Sequence, residues 1–375
     1  MNVPLLDLKA QFQSIRHEVL ASIENVCDEQ GFVLGPRVER LEQDLGKYVG
    51  TGHAVGVASG SDALLLSLMA LGVKPGDEII TVPFTFFSTA GVISRLQAVP
   101  VFVDIQAGSL NMDPEQLVDR LTERTKAILP VHLFGQCAEM EKISYLAAEH
   151  GVPVIEDACQ AIGAARNGVR AGGLGTTGCF SFFPSKNLGG FGDGGLVTTH
   201  DAKIADRLRT LRVHGSRSDY HHHAIGMNSR LDALQAAVLN VKLAYLDQWT
   251  EKRRANAQTY ERLFGEAGLL DVITLPVTDS ANYHVYNQYT IRTPKRDQLS
   301  AHLTEQGIGN KIYYPVPLHL QECYQPLGYE KGQLPVSEQA AQEVLSLPIY
   351  SELTTQQIEY VVQTIKQFFA VSSPA

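Results

Sequence analysis

The chain runs to 375 residues with 44% apolar and 19% charged side chains, an ordinary mix for a folded protein with a large domain and a smaller one sharing a cleft. Its formal net charge of -9 argues against a nucleic-acid or anionic-membrane surface, since both require a concentrated positive field. No apolar run reaches the roughly 18 residues of a spanning helix and no signal peptide is evident. The cysteines Cys27, Cys137, Cys159, Cys179 and Cys323 are scattered without a C-x-x-C pair, so the expectation is a reducing, cytoplasmic compartment with neither disulfide framework nor metal site.

Between about residues 52 and 200, short β-rich apolar runs alternate with helical segments, the pattern of an α/β fold with a mostly parallel sheet covered by helices. Seven strands are predicted, at 55–58, 78–83, 99–103, 127–131, 152–155, 179–183 and 195–199. Helices predicted at 62–71 and 140–149 are each followed by a glycine, Gly72 and Gly151, that supplies a left-handed stop. From Leu231 an amphipathic pattern continues through Leu239, Leu243 and Leu246 toward Tyr260, long enough to bridge the sheet to the C-terminal part. Beyond about residue 260 the chain reads as a smaller α+β domain punctuated by prolines. The expected division is a large domain over 15–245 and a small one over 246–375, with residues 1–14 packing against the latter.

The most informative stretch is Phe180-Ser181-Phe182-Phe183-Pro184-Ser185-Lys186-Asn187-Leu188-Gly189-Gly190. A lysine just past a buried strand, on a glycine-flanked turn, faces a cleft and loses water. Desolvation lowers its pKa and makes it a nucleophile toward carbonyl carbon; a random lysine on such a turn is more often a surface residue. Upstream, Val154-Ile155-Glu156-Asp157-Ala158-Cys159-Gln160 ends a strand in two carboxylates, placing one at the sheet edge where α/β folds bind ligands. Alone, such a pair is more often a helix cap or a metal ligand. Ala58-Ser59-Gly60-Ser61-Asp62 is a small-residue turn running from a strand into a helix, whose exposed N–H groups and dipole suit an anion. Ser181, upstream of the lysine, is a second candidate to bind the anion, through its hydroxyl. Phe84-Thr85-Phe86-Phe87 follows a strand directly, and Phe86 is the ring chosen to cover a flat ligand, core packing being the competing reading for its two neighbours.

Together with Pro4-Leu5-Leu6-Asp7-Leu8-Lys9, Asn228-Ser229-Arg230-Leu231-Asp232 and Tyr314-Pro315-Val316-Pro317-Leu318-His319, these segments resemble the nucleotide-sugar aminotransferases of the DegT type, a branch of the fold-type-I pyridoxal phosphate enzymes. The resemblance covers nearly the whole chain. It implies pyridoxal 5'-phosphate held as a Schiff base on the catalytic Lys186, its ring nitrogen on Asp157, its phenolic oxygen near Gln160, its phosphate on Gly60, Ser61 and Ser181, and Phe86 over the ring. It also implies L-glutamate as amino donor, a nucleotide-linked keto-sugar as acceptor, and a homodimer in which Asn228 reaches the partner's phosphate. Asn228 reads equally as a helix N-cap. Tyr220, Arg230, Tyr314 and His319 are candidate substrate contacts. His221, His222 and His223 suggest a solvated loop, because consecutive side chains do not converge on one metal.

Two positions depart from the family's commonest pattern: Ser61 replaces threonine but keeps a hydroxyl, and Ile162 stands where many members carry histidine. The family's dehydratase branch lacks the lysine that is present here as Lys186, so transamination is preferred. Asn-Ser-Arg-Leu-Asp resembles members acting on the third sugar carbon, which implies a dTDP-linked 3-keto-6-deoxyhexose or a UDP-linked 3-keto-hexuronate. The alternatives are a 4-keto sugar nucleotide, an amino-acid lyase or racemase of similar fold, and, from another class, a non-catalytic regulator that senses a sugar nucleotide.

Overall fold

In the computed structural model, which describes residues 1–218 and 220–371, the strands are β1 (His53–Val57), β2 (Glu78–Thr81), β3 (Val99–Phe102), β4 (Thr125–Ile128), β5 (Ile155–Asp157), β6 (Thr177–Ser181) and β7 (Gly195–Thr199). They pair in the orders β3-β2-β4 and β5-β6-β7-β1. Parallel bridges Ile128–Val154 and Val131–Asp157 join the two groups into one sheet. Neighbours are parallel except around β7, which runs against both β6 and β1. The sheet is therefore mostly parallel, and its strands are almost wholly buried, as helices on both faces require.

Two differences from the sequence pattern have local causes. The fifth strand begins at Ile155 rather than 152, because Pro153 has no N–H to give the ladder. The segment after Thr81 leaves the ladder early, whereas after Ile128 the Leu129 N–H still bonds the Ile80 carbonyl and Val131 still bridges to Asp157 before the chain turns into a loop.

Around the sheet lie α1 (Leu8–Glu29), α2 (Pro36–Val49), α3 (Gly60–Ala70), α4 (Ser88–Arg95), α5 (Met140–Glu149) and α6 (Ala202–Leu211). The hydroxyl of Ser59 accepts the Asp62 N–H at 3.1 Å and starts α3 two residues earlier than the apolar pattern indicates. Gly72 and Gly151 follow their helices at φ of +75° and +65°.

The long amphipathic pattern after Leu231 is two helices, α7 (Ala233–Leu243) and α8 (Leu246–Glu266). The break serves two cores with one stripe. Leu231, Leu239, Leu243 and Leu246 pack beneath the sheet with Phe180 and Phe182, whereas Ala257, Tyr260 and Phe264 join a second core with Tyr289, Leu299, Leu345 and Ile358. That core is built on antiparallel β8 (Tyr289–Arg292) and β9 (Val344–Leu347), with α9 (Arg296–Glu305) and α11 (Thr355–Val371), whereas α10 (Pro335–Glu343) packs Ala340 and Ala341 against the sheet with Ile80 and Ile128. Val3 belongs to the second core too and bridges to Ile308. Asn228 is not a helix cap: Asp232 holds that position at α7, and its side chain makes no capping bond. Among the described residues, no helix is long and apolar enough to cross a membrane.

Candidate active site

The carboxyl ends of β1, β5 and β6 and the start of antiparallel β7 meet at one edge of the sheet, with Gly195 paired to both Val57 and Ser181. Over this edge opens a cavity of about 430 Å³ that brings together Gly60, Ser61, Phe86, Asp157, Gln160, Ser181, Lys186 and Tyr314. Eight of the residues singled out from sequence thus share one space, although they span more than 250 positions of the chain.

Lys186 rises from a tight turn: its N–H donates to the Phe183 carbonyl at 2.8 Å, and the Gly190 N–H closes back on Phe182 at 2.8 Å. Among the described residues its amine makes no hydrogen bond. Burial pulls that amine below the usual lysine value, while nearby Cys159 and Asp157 act in the opposite direction.

Glu156 and Asp157 separate by strand alternation. Asp157 faces the cavity, where it accepts the Thr89 hydroxyl at 2.8 Å and the Cys159 N–H at 3.2 Å. Glu156 points to the opposite face and is fully buried. It accepts the Gly172, Leu174 and Gly175 N–H groups at 2.7, 2.8 and 2.6 Å and meets His132 Nε2 at 2.9 Å. His132 Nδ1 accepts the Ala138 N–H at 3.1 Å, so the proton of a neutral ring sits on Nε2 and donates to Glu156. Glu156 is a structural clamp, and Asp157 is the carboxylate available to a ligand.

Gln160 is oriented from both ends: its Oε1 accepts the Phe134 N–H at 2.7 Å, and its Nε2 donates to the Tyr314 hydroxyl at 3.0 Å. One amide N–H is left over for the cavity. Burial raises the Tyr314 pKa, so the phenol keeps its proton and has a donor to offer. Gly60 is required by space, because a Cβ there would lie 2.6 Å from Ser181 Cβ and 2.9 Å from Cys159 Sγ. Ser61 lies beside it in the first turn of α3, its Oγ accepting from Ser88 at 2.6 Å. Phe86 is 58% exposed, its centroid 6.5 Å from the Tyr314 ring. Of its neighbours, Phe84 is fully buried as core packing requires, whereas Phe87 is 47% exposed with its ring 5.9 Å from that of Tyr324.

The other sequence candidates stand elsewhere. His319 does not line the cavity; it is buried, paired to Glu338 at 3.2 Å, and its ring Nδ1 has no partner. Asn228 is exposed and half-buried Arg230 follows it, both outside this cavity. Tyr220 is 95% exposed on the same loop, near the ribbon of Ser216–Ser218 and His221–His222.

Sequence reasoning missed Thr89, Thr85, Asn287, Gln288 and Tyr313. Thr89 carried a signal: it lies four residues after Thr85, one turn on, so the two hydroxyls meet at 3.1 Å behind Asp157. Asn287, Gln288 and Tyr313 come from the C-terminal half, and no local pattern announces them.

Comparison with known proteins agrees with this geometry. The chain is 52% identical over 98% of its length to a pleiotropic regulatory protein of Geobacillus stearothermophilus, covering 99% of that protein. It is 44% identical to a dTDP-3-amino-3,4,6-trideoxy-alpha-D-glucose transaminase of Streptomyces venezuelae, over 98% of this chain and 96% of the other. It is 43% identical to a UDP-N-acetyl-3-dehydro-alpha-D-glucosamine 3-aminotransferase of Acidithiobacillus ferrooxidans, over 97% of each. The crystal structure of S. venezuelae DesV in complex with a ketimine intermediate superposes with a TM-score of 0.95 at 42% identity, covering 100% of both chains. Residues 13–366 match the model of one family, and the chain belongs to the DegT/DnrJ/EryC1/StrS aminotransferase family.

Proposed function

We propose that this chain, a pyridoxal phosphate-dependent transaminase, transfers the amino group of L-glutamate to the 3-keto carbon of a dTDP- or UDP-linked sugar. The observation that carries the reading is the convergence of an unpartnered lysine amine, a carboxylate held by Thr89 and a glycine-lined helix N-terminus on one cavity. This donor set suits pyridoxal phosphate, because an aldehyde needs the amine, a pyridine nitrogen needs the acid and a phosphate needs the N–H cradle. When bound, the cofactor supplies a carbonyl that carries the amino group and a ring that takes up electrons from the reacting carbon.

The protein's part follows from its own atoms. Lys186 Nζ, whose hold on a proton burial weakens, is the base that would take the proton from the α-carbon of glutamate. Asp157, held by Thr89, would keep a proton on the ring nitrogen. The spare N–H of Gln160 would serve the phenolic oxygen, Gly60, Ser61 and Ser181 would hold the phosphate, and Phe86 would lie against the ring. Tyr314 offers its hydroxyl proton to a sugar oxygen. Within one protomer Lys186 is the only cation among the described residues lining the cavity, so a uronate carboxylate would have to be met by a residue from outside it.

The two transaminases cited above are named for amination at the third carbon and differ in nucleotide, which supports the position and leaves the nucleotide to experiment. We extend the reading to a cytoplasmic homodimer in which Asn228 and its neighbours reach the partner's cavity. Its support is the exposure of Tyr220 at 95% and Ile225 at 92% on that loop. The test is incubation with L-glutamate and matched 3-keto and 4-keto sugar nucleotides, followed by mass spectrometry for amine in place of ketone. Amination of the 4-keto isomer alone would refute the assigned position.

A regulatory reading has one observation in its favour, the description of the 52% identical relative. Lys186→Ala separates the two: a sensor keeps its ligand response, whereas an enzyme loses turnover.

A further inference from the structure

Lys242 lies on α7 and is 4% exposed, yet among the described residues it forms no ion pair with a carboxylate. Its ammonium donates to the Gly189 carbonyl at 2.5 Å and sits 6.0 and 5.9 Å from the ring centroids of Phe191 and Trp249. Burial pulls it down to about 8, while the charge of Glu352 acts in the opposite direction. A buried cation with no bonded carboxylate is costly, and an apolar side chain of similar length would fill the space without that cost.

What the charge holds is the turn that carries Lys186. Gly189 is three residues beyond Lys186, and a Cβ there would fall 2.4 Å from the Pro184 carbonyl oxygen, so the turn from 184 to 189 is closed tightly on itself. Two helical turns before Lys242, on the same face of α7, Gln235 Oε1 accepts the Phe191 N–H at 2.7 Å. A Cβ on Gly190 would fall 2.8 Å from that same oxygen. On the turn's other flank, Asn187 donates to the Val285 carbonyl and accepts from Asn287, each at 3.0 Å. The lysine turn is thus suspended between α7 and the segment that brings Asn287 to the cavity.

We propose that Lys242 is a positioning residue for Lys186: by pinning the Gly189 carbonyl to α7, it sets where the Lys186 amine stands relative to the cavity. The inference rests on the reading that Lys186 is the amine that bonds the cofactor.

The test titrates purified apo-protein with pyridoxal 5'-phosphate and, separately, with pyridoxal, following the visible band of the lysine-bound chromophore. Lys242→Met, Lys242→Arg and Lys186→Ala are compared with the parent, and circular dichroism and melting are recorded for each. Lys242→Met is expected to stay folded and to bind both aldehydes about tenfold more weakly, because the amine is misplaced while the phosphate cradle is intact. Lys242→Arg is expected to recover most of that loss. Unchanged affinity in folded Lys242→Met would overturn the proposal, as would weakening confined to the phosphate-bearing aldehyde. If Lys242→Met does not fold, Gln235→Met on the same rail takes its place, and unaltered binding of both aldehydes there counts equally against the proposal. Should Lys186→Ala keep the band, the fault lies in the reading of Lys186 itself.

Discussion

Glu156 and Asp157 are adjacent and chemically alike, so exchanging each for its amide isolates what the fold does to them. In Glu156→Gln the carboxamide can present its oxygen to Leu174 and Gly175, but its NH2 then faces the Gly172 N–H and the His132 Nε2–H. The histidine cannot switch tautomer in compensation, because its Nδ1 is the acceptor for the buried Ala138 N–H. At least two charge-assisted bonds are lost, at about 1.5–3 kcal/mol each, for a cost of about 3 kcal/mol or more. With an unfolding entropy of about 2.1 cal/mol/K per residue over the 375-residue chain, that lowers the melting temperature by roughly 4 °C. Circular dichroism melting, paired with single-turnover reaction with L-glutamate, is the assay. The expected result is a destabilised Glu156→Gln that still reacts once folded. The reasoning is refuted if Glu156→Gln melts like the parent and fails to react.

Asp157→Asn is the complement: it is expected to melt within about 2 °C of the parent and to slow the glutamate half-reaction by about 100-fold or more in stopped-flow absorbance. Gly60→Ala overpacks against Ser181 and Cys159, so a loss of about 1–3 kcal/mol on denaturation, together with weaker binding of inorganic phosphate as a competitor, is expected. Burial, with help from the Arg254 charge, lowers the His284 pKa from its ordinary value to about 3. The unfolded chain therefore binds more protons between pH 6.5 and 3, and stability present above pH 6.5 drains away as the pH falls through that window. Melting across acid pH is expected to show a shallower decline in His284→Gln.

The sheet was legible because buried parallel strands leave continuous apolar runs, and all seven lie within a few residues of where those runs stand. The same pattern misled at Ala244 and Tyr245, where one amphipathic stripe serves two cores and the helix breaks between them. Within the site, residues on contiguous motifs such as Gly60 with Ser61, Asp157 with Gln160, and Ser181 with Lys186 were readable, since their spacing sets them at strand ends. Asn287, Gln288 and Tyr313 were not, because only tertiary packing carries the C-terminal half to the sheet edge. His319 looked functional beside Tyr314, yet the turn between them directs it into the protein toward Glu338. Lys242 gave no sign at all, since a lysine late in an amphipathic helix reads as a solvated end and its burial depends on a glycine turn over 50 residues away.

The central claim is that Lys186 carries the cofactor through an exchange with an amino-acid donor, and visible absorbance of the pyridoxal phosphate-saturated protein before and after L-glutamate tests it most directly. The account requires a yellow band that bleaches on adding L-glutamate and is absent or altered in Lys186→Ala. A saturated protein with no such band, or a band of full strength in Lys186→Ala, would contradict it.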